Sequence, residues 1–291
     1  MKNDFEKGAS SIAKDLDDID PGAGDKWELP WVKATMDAMP INAVTDQTYK
    51  GGTNQLILWI LAQINGWDTN YWAGFGQWGM VGAKVRKGEK STYIMRPKMM
   101  KDDAGETIIG GFSSARVFNA SQIDGWTPPE LPDPPDLAVR IDRIEHFIEM
   151  TGASIEHNEG GRAFYHPAQH RISIPKAKFF KETDHGSATE HYYAVLFHEL
   201  THWTLHPDLC NRKLGTSRRE YAFEELVAEL GSAFLCFEFG IKGASRRDHA
   251  QYIKSWSTLL KDKPTAFINA GQLAARAVGF LTKRTEKAKA A

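Results

Sequence analysis

The sequence predicts an α+β protein of two domains: an N-terminal α+β domain and a C-terminal, mainly helical domain with a small sheet. Three observations predict this. The 291 residues suit two domains of ordinary size better than one. Five of the 13 prolines fall within residues 127–136 and separate the two halves. On both sides of that segment, stretches with the 3.6-residue apolar period of helices occur together with short strand-like stretches.

The N-terminal half contains an arm, a helix and two strands. Residues 1–28 are polar and acidic, so we expect a flexible arm there. Apolar side chains cover much of the surface of a predicted helix at 54–64, which should therefore be largely buried. Residues 84–94 and 107–117 predict short strands, with a bulge or tight bend at Gly110-Gly111.

The proline-rich segment at 127–136 is predicted to be a semi-rigid linker. Each proline lacks a backbone N–H and forces the preceding residue towards extended geometry, so neither a helix nor a central strand fits there. The predicted domains are therefore residues 1–126 and 137–291, each within the usual size range of a domain.

The C-terminal half predicts a small strand layer with several helices. Residues 137–151 have a helical apolar period, and Gly152 is well placed to end that helix. The other predicted elements are strands at 163–165 and 171–175 and helices at 190–205, 217–239, 249–260 and 266–281. Residues 283–291 are basic and are expected to form a solvated tail.

The composition excludes several classes of protein. Hydrophobic residues make up 42% and charged residues 25%, which excludes a wholly disordered chain. Two cysteines are too few for a disulfide framework, and no apolar run is long enough to span a bilayer. Because residues 1–6 lack the apolar core of a signal peptide, we expect a cytoplasmic protein without membrane contact. The 36 basic and 37 acidic side chains exclude a uniformly basic surface but allow a local basic patch.

The segment His198-Glu199-Leu200-Thr201-His202 matches the H-E-x-x-H pattern of zincins. On a helix, four residues advance about 6 Å and just over one turn, so both imidazoles project from one face and can share one ion. Glu199 lies beside them, where it can accept the proton of an activated water molecule. The apolar residues 192–197 indicate a buried helix, which disfavours the alternative of two surface histidines.

A catalytic zinc site needs a third protein ligand and one open position. His206 lies eight residues from His198, about 12 Å along a helix axis, and is therefore too far away. Glu225 and Glu229 are the better source, because they lie four residues apart on one face of the next predicted helix, among apolar neighbours. Helix geometry allows either to bind the metal while the other orients a histidine. We expect Glu224 to be a surface acid.

The predicted cofactor is Zn²⁺, although two imidazoles and a carboxylate also suit Mn²⁺ or Co²⁺. Such an ion polarises a carbonyl and activates water. With Glu199 as the proton acceptor, the expected reaction is the hydrolysis of an amide bond by a metallopeptidase.

A second candidate site lies in the N-terminal half. Five aromatic residues fall within 67–78, and seven cations against one acid give residues 84–101 a local charge of +6. Single-stranded nucleic acid requires aromatic platforms for its bases and cations for its phosphates. The candidate contact residues are Trp72, Trp78, Lys84, Arg86, Lys87 and Lys90. The alternative is a solvated basic hairpin beside an aromatic core.

Several motifs resemble those of ArdC-type antirestriction proteins, in the same order along the chain. In the N-terminal half they are YKGGTNQLILW at 49–59, Trp78 and GAKVRKGEK at 82–90. In the C-terminal half they are HELTHW at 198–203 and YAFEELVAE at 221–229. The glycine doublet at 51–52 departs from the family pattern.

The resemblance implies a plasmid-borne protein that protects incoming conjugative DNA from host restriction. It implies an N-terminal domain that binds single-stranded DNA, with Asn54, Lys84, Arg86 and Lys87 on the DNA side. It also implies a C-terminal zincin-like domain of the gluzincin type. In gluzincins the first acid of Glu-x-x-x-Glu binds the metal and the residue four later orients a ligand histidine, which assigns these roles to Glu225 and Glu229.

Two functional hypotheses follow. In the first, the protein is a DNA-tethered metallopeptidase that cleaves an unidentified protein, such as a component of the host restriction system. In the second, coating of single-stranded DNA is sufficient for protection, and the metal site is structural or catalytically idle. Glu199 favours the first hypothesis, because metal binding alone does not require it. A nucleobase deaminase is disfavoured, since its Pro-Cys-x-x-Cys element is absent from the sequence.

Overall fold

The computed structural model divides the chain into two compact units. The described residues are 13–14, 17, 39–49, 52–101, 107–129, 137–183, 186–213, 215–241, 250–263 and 265–290. The first unit comprises Met1–Gly8 with Met39–Leu131, and the second comprises Ala9–Ala38 with Pro132–Ala291. The division near residue 131 falls within the predicted linker, of which residues 130–136 lie outside the described part.

Residues 9–28 of the predicted N-terminal arm are grouped with the second unit, whereas the sequence prediction joined the whole arm to the first domain. Its described residues show the reason. The hydroxyl of Ser257 donates to the Ala13 carbonyl at 3.2 Å and to the Asp17 carboxylate at 2.6 Å. Lys261 pairs with the same carboxylate. These contacts hold the described part of the arm against the second unit, and the other residues of the predicted arm lie outside the described ranges.

The first unit contains a four-stranded sheet and a two-stranded ribbon. Its strands are β1 (Ile41–Asn42), β2 (Tyr71–Gly74), β3 (Lys84–Val85), β4 (Thr92–Lys101), β5 (Thr107–Asn119) and β6 (Ile123–Asp124). The sheet order is β1-β2-β5-β4, with β1 and β2 parallel and the other neighbours antiparallel, while β3 and β6 form the ribbon. The β4–β5 register shifts between Lys98 and Met99, opposite Gly110, so the predicted bulge is confirmed.

Two helices complete the described part of the first unit. The helix α1 (Thr53–Ile64) packs against β4 and buries Leu56, Leu58 and Trp59, as the apolar pattern predicted. The short helix α2 (Phe75–Met80) was not predicted, because two of its six residues are glycine, a poor helix former.

The second unit combines several helices with a three-stranded sheet. Its elements are α3 (Leu137–Thr151), β7 (Ser154–Asn158), β8 (Phe164–His166), β9 (Arg171–Pro175), α4 (Ala188–Trp203), α5 (Arg218–Phe239), α6 (Ala250–Asp262) and α7 (Thr265–Ala290). The sheet order is β7-β9-β8, with β7 parallel and β8 antiparallel to β9. The strand β7 was missed, and α7 continues through most of the predicted basic tail.

Local sequence defines the ends of the two central helices. Ser187 and Glu190 form a capping box at the start of α4, and Ser217 and Glu220 form another at the start of α5. Gly240 ends α5 with a left-handed φ of 63°. These signals fix where α4 begins and where α5 begins and ends.

The two central helices approach each other closely within the core of the second unit. The hydroxyl of Ser232 on α5 donates to the Ala194 carbonyl of α4 at 2.7 Å. A β-carbon built on Gly231 would lie 2.5 Å from the Thr201 hydroxyl oxygen, so this glycine permits the approach.

Among the described residues, no helix has the length and apolar character that a membrane span requires.

Candidate metal centre and cationic surface

The helices α4 and α5 bring His198, His202 and Glu225 together. One ligand atom from each lies within 4.8 Å of the other two. The two histidine Nε2 atoms are 3.1 Å apart, and the Glu225 carboxylate lies 3.6 Å from one and 3.5 Å from the other. All three side chains are buried. Within the described ranges, no second group of three such side chains could hold an ion.

Each histidine presents its other ring nitrogen to a second carboxylate. His198 Nδ1 lies 3.2 Å from Glu229 Oε1, and His202 Nδ1 lies 3.3 Å from Glu224 Oε1. A carboxylate that accepts from Nδ1–H orients the ring so that the Nε2 lone pair faces the shared position. Glu229 therefore lies where an orienting acid is needed. The prediction that Glu224 is a surface acid is wrong, because its side chain is buried and contacts His202.

Arg212 holds the Glu224 carboxylate from the opposite side. Its Nη2 donates to Oε1 at 2.8 Å and its Nε donates to Oε2 at 3.2 Å. The same guanidinium donates to the Thr201 carbonyl at 2.8 Å and to the Thr204 hydroxyl at 2.7 Å, at the end of α4. Sequence reasoning missed Arg212, because it lies in an irregular segment where no periodicity indicates which way a side chain points.

The electrostatics of the group favour bound positive charge. Burial lowers the pKa of His202, but hydrogen bonds with the Glu224 and Glu225 carboxylates outweigh burial and raise it to about 10. Burial raises the pKa of Glu225, but the contacts with His198 and His202 hold it well below its ordinary value. Burial likewise opposes the charge of Glu224, and His202 with Arg212 keeps its pKa below the usual range. Both carboxylates are therefore ionised inside the core.

The donor set fits a divalent metal. When both imidazoles are neutral and carry their protons on Nδ1, the two Nε2 lone pairs and the Glu225 oxygens converge as acceptors facing acceptors. A divalent cation among them would balance both the lone pairs and the buried negative charge. Two imidazoles and one carboxylate, with a fourth position left open, form a donor set of catalytic zinc sites.

Two other residues of this region lie outside the ligand group. Glu199 follows His198 on α4, is 2% exposed and supplies none of the three ligand atoms. His206 lies beyond the end of α4, where its ring centroid is 4.0 Å from that of His170. His206 therefore lies outside the candidate ligand group, in keeping with its spacing in the sequence.

The structure contradicts three of the predicted DNA contacts in the first unit. Trp72 and Trp78 are fully buried, so their rings cannot stack on bases. Asn54 is also buried, and its amide donates to the Met95 carbonyl and accepts from the Met95 N–H, both at 2.8 Å. It therefore joins α1 to β4. These three side chains have structural roles.

The predicted cationic contacts all lie at the surface. The exposed residues are Lys84, Arg86, Lys87 and Lys90. The guanidinium of Arg86 is already engaged, since it pairs with Glu89 at 3.0 Å and with Asp124 at 3.7 Å. It also donates to the Ser121 carbonyl, so Arg86 helps to hold the ribbon. Among these predicted contacts, the positive charge that is not engaged in an ion pair with a described residue is carried by Lys84, Lys87 and Lys90.

Both units match known protein families. Residues 142–273 match the zincin-like metallopeptidase family, and residues 9–121 match the N-terminal domain of the anti-restriction factor ArdC. The metal-free crystal structure of the antirestriction protein ArdC from plasmid R388 is 30% identical, with a TM-score of 0.71, and the match covers 97% of this chain and 98% of that one. The chain belongs to the ArdC family of antirestriction proteins. The Mn(II)-bound structure of the R388 protein is 29% identical, with a TM-score of 0.70 and 97% of each chain covered.

Two curated relatives of this ArdC-family chain differ in length. The uncharacterised protein y4eC of Sinorhizobium fredii is 34% identical over 273 residues, which cover 88% of this chain and 85% of y4eC. The DNA primase TraC of Escherichia coli is 34% identical over 267 residues, which cover 84% of this chain but 18% of TraC. The ArdC-family chain thus corresponds to a small part of TraC.

Proposed function

We propose that this ArdC-family protein combines two activities, the binding of single-stranded DNA by its first unit and metal-dependent peptide hydrolysis by its second. Together they protect incoming conjugative plasmid DNA from host restriction in the cytoplasm. The protein substrate is a component of the restriction system or a protein near the DNA. The observation that best supports the enzymatic activity is that Glu225 of α5 meets His198 and His202 of α4, where Glu199 follows His198.

The ligand group would hold Zn²⁺, with Mn²⁺ and Co²⁺ as alternatives. Two imidazoles and a carboxylate bind all three ions, and the related ArdC protein of plasmid R388 has been crystallised with Mn(II). When bound, the ion supplies Lewis-acid polarisation of a carbonyl and activation of water. Glu224 and Glu229 keep the two ligand imidazoles in the tautomer that binds it.

Glu199 is the proposed proton carrier of the reaction. It follows the ligand His198 on α4 and contributes no ligand atom itself. Its carboxylate can accept the proton of the attacking water and return it to the leaving amine. A buried carboxylate in this position has no necessary part in a purely structural metal site.

The alternative is a protein that coats single-stranded DNA and whose metal site is structural or idle. The burial of the site favours this alternative, since His198, Glu199 and Glu225 are 2%, 2% and 6% exposed. A peptide could reach them only if the surrounding segments open.

Substitution of the proton carrier separates the two functions. Glu199→Gln keeps the size and polarity of the side chain, so metal content and affinity for single-stranded DNA should be unchanged. Peptide hydrolysis and protection against restriction should both be lost. The matched control is Glu238→Gln at an exposed position of α5, which should retain all four properties. Undiminished protection by Glu199→Gln would favour the DNA-coating alternative.

A further inference from the structure

The first unit exposes an apolar patch on α2 and the turn that follows it. Phe75 is 69% exposed, Met80 is 79% exposed and Val81 is 41% exposed. Within the described part of the chain, seven large hydrophobic side chains are exposed, and three of them lie in this seven-residue stretch. Apolar side chains concentrated at a surface are typical of a binding site.

The orientation of α2 is fixed by its inner side. Trp78 is fully buried and donates from Nε1 to the Phe118 carbonyl at 3.3 Å. Gln77 accepts from the Gly74 N–H at 2.9 Å. With these two side chains facing inwards, the remaining positions of the six-residue helix face outwards.

The outer side of α2 forms an open slot between two apolar side chains. Phe75 and Met80 are five residues apart, which is about 7.5 Å along the helix axis. Between them, β-carbons added to Gly76 and Gly79 would meet no atom within 4 Å. Phe75 also contacts Phe118 edge-on, with the ring centroids 6.3 Å apart, so the exposed ring is supported from one edge. A flat aromatic base can lie against such a surface.

Three exposed lysines follow α2 in the sequence, beginning four residues after Met80. The turn after α2 is held by hydrogen bonds from the Gly82 and Ala83 N–H groups to carbonyls of the helix, and it leads directly into β3. Lys84, Lys87 and Lys90 follow at exposed positions, and none forms an ion pair with a described residue. The cations are therefore available beside the apolar surface.

We propose that Phe75 and Met80 form a base-stacking platform for single-stranded DNA, with Lys84, Lys87 and Lys90 meeting the adjoining phosphates. This inference rests on the DNA-binding half of the proposed function. It assigns to Phe75 and Met80 the base-stacking role that the sequence predicted for the buried Trp72 and Trp78. An apolar surface together with cations that form no ion pair favours single-stranded nucleic acid as the ligand, because its apolar bases alternate with negatively charged phosphates.

The test measures the affinity of the full chain for a fluorescently labelled oligo(dT) by anisotropy over a range of salt concentrations. Phe75→Ala should weaken binding about tenfold, because loss of one stacking contact typically has an effect of this order. Its salt dependence should match that of the wild type, since no charge is removed. Phe75→Trp should retain the affinity. Joint substitution of the three lysines by glutamine should reduce the slope of log affinity against log salt concentration by about 2, because three phosphate contacts are lost.

The matched control is Phe164→Ala in the second unit, which removes a phenylalanine that is 45% exposed and should leave DNA affinity unchanged. If Phe75→Ala binds as tightly as the wild type, the platform is wrong while DNA binding itself stands. If the wild type and every variant fail to bind, the DNA-binding half of the proposed function fails and the platform with it. If Phe75→Ala abolishes self-association in sedimentation but keeps its DNA affinity, the patch is an interface between copies and the inference is overturned.

Discussion

His202 Nδ1 lies 3.3 Å from Glu224 Oε1, within hydrogen-bonding distance of a carboxylate that is itself held by a buried guanidinium. This contact extends the candidate metal centre beyond its three ligands. An orienting carboxylate of this kind makes the imidazole a better ligand and restricts its rotation. The strength of metal binding should therefore depend on a residue that does not touch the ion.

Glu224→Gln should weaken metal binding while preserving the fold. The amide has the same shape but lacks the charge that favours a proton on His202 Nδ1, so we expect the Zn²⁺ affinity to fall about 10- to 100-fold. Titration calorimetry of the metal-depleted protein measures this directly. Glu238→Gln is the control, because it makes the same change at an exposed position of the same helix. Equal Zn²⁺ affinities for the two variants would show that Glu224 does not act on the site.

Removal of the Arg212 guanidinium should destabilise the second unit. Arg212→Met leaves the Glu224 carboxylate buried without its guanidinium partner, which typically lowers the free energy of unfolding by about 3–5 kcal/mol. Denaturant unfolding measures the loss. The control is Arg219→Met, whose pair with Asp262 at 3.5 Å is about half exposed and should contribute less than about 1 kcal/mol. Arg212→Met combined with Glu224→Gln should recover part of the loss, and strictly additive losses would contradict the coupling.

Local spacing was sufficient to predict that His198 and His202 lie together at the candidate metal centre. The four-residue intervals of His198 with His202 and of Glu225 with Glu229 place each pair on one helix face, whatever surrounds the helix. The role of Glu224 depends instead on Arg212, which returns from an irregular segment to meet it. Helical periodicity describes one helix at a time and cannot reveal such a partner.

The aromatic cluster of the first unit shows a second limit of prediction. Its composition indicated stacking surfaces but not which rings face the solvent. Trp78 packs in a core cluster with Ala73 and Ile123 and donates to the carbonyl of Phe118, 40 residues away, whereas Phe75 on the same short helix is exposed. Contacts between distant segments decide which ring is buried. Because tryptophan and phenylalanine are both apolar, the sequence pattern alone does not distinguish the buried ring from the exposed one.

Gly231→Ala should both destabilise the protein and weaken metal binding. The added β-carbon would lie 2.5 Å from Thr201 Oγ1 and 2.6 Å from Thr201 Cγ2, so α4 and α5 must separate slightly. Overpacking of this kind typically costs about 1–3 kcal/mol of unfolding free energy. Because the same two helices carry the proposed ligands, we expect the Zn²⁺ affinity to fall as well. Thermal unfolding and titration calorimetry provide the two measurements.

Gly279→Ala is the matched control for that substitution. Gly279 lies within α7, and an added β-carbon there would meet no atom within 4 Å. Since alanine is the better helix former, this variant should gain about 0.5–1 kcal/mol of unfolding free energy and keep its metal affinity. If the two glycine variants changed stability in the same direction, the close approach at Gly231 would not be the cause.

Divalent metal should stabilise the second unit through the three proposed ligands. When the free ion concentration is 100 times the dissociation constant, binding to the folded chain adds about 2.7 kcal/mol to the free energy of unfolding. Chelation should remove this increment. His198→Ala should abolish the increment, because it deletes one of the three ligand atoms. His206→Ala is the control, since it removes an imidazole that lies outside the ligand group. Calorimetric unfolding with Zn²⁺, with Mn²⁺ and with chelator measures the effect, and an equal metal-induced increment in both histidine variants would place the ion elsewhere.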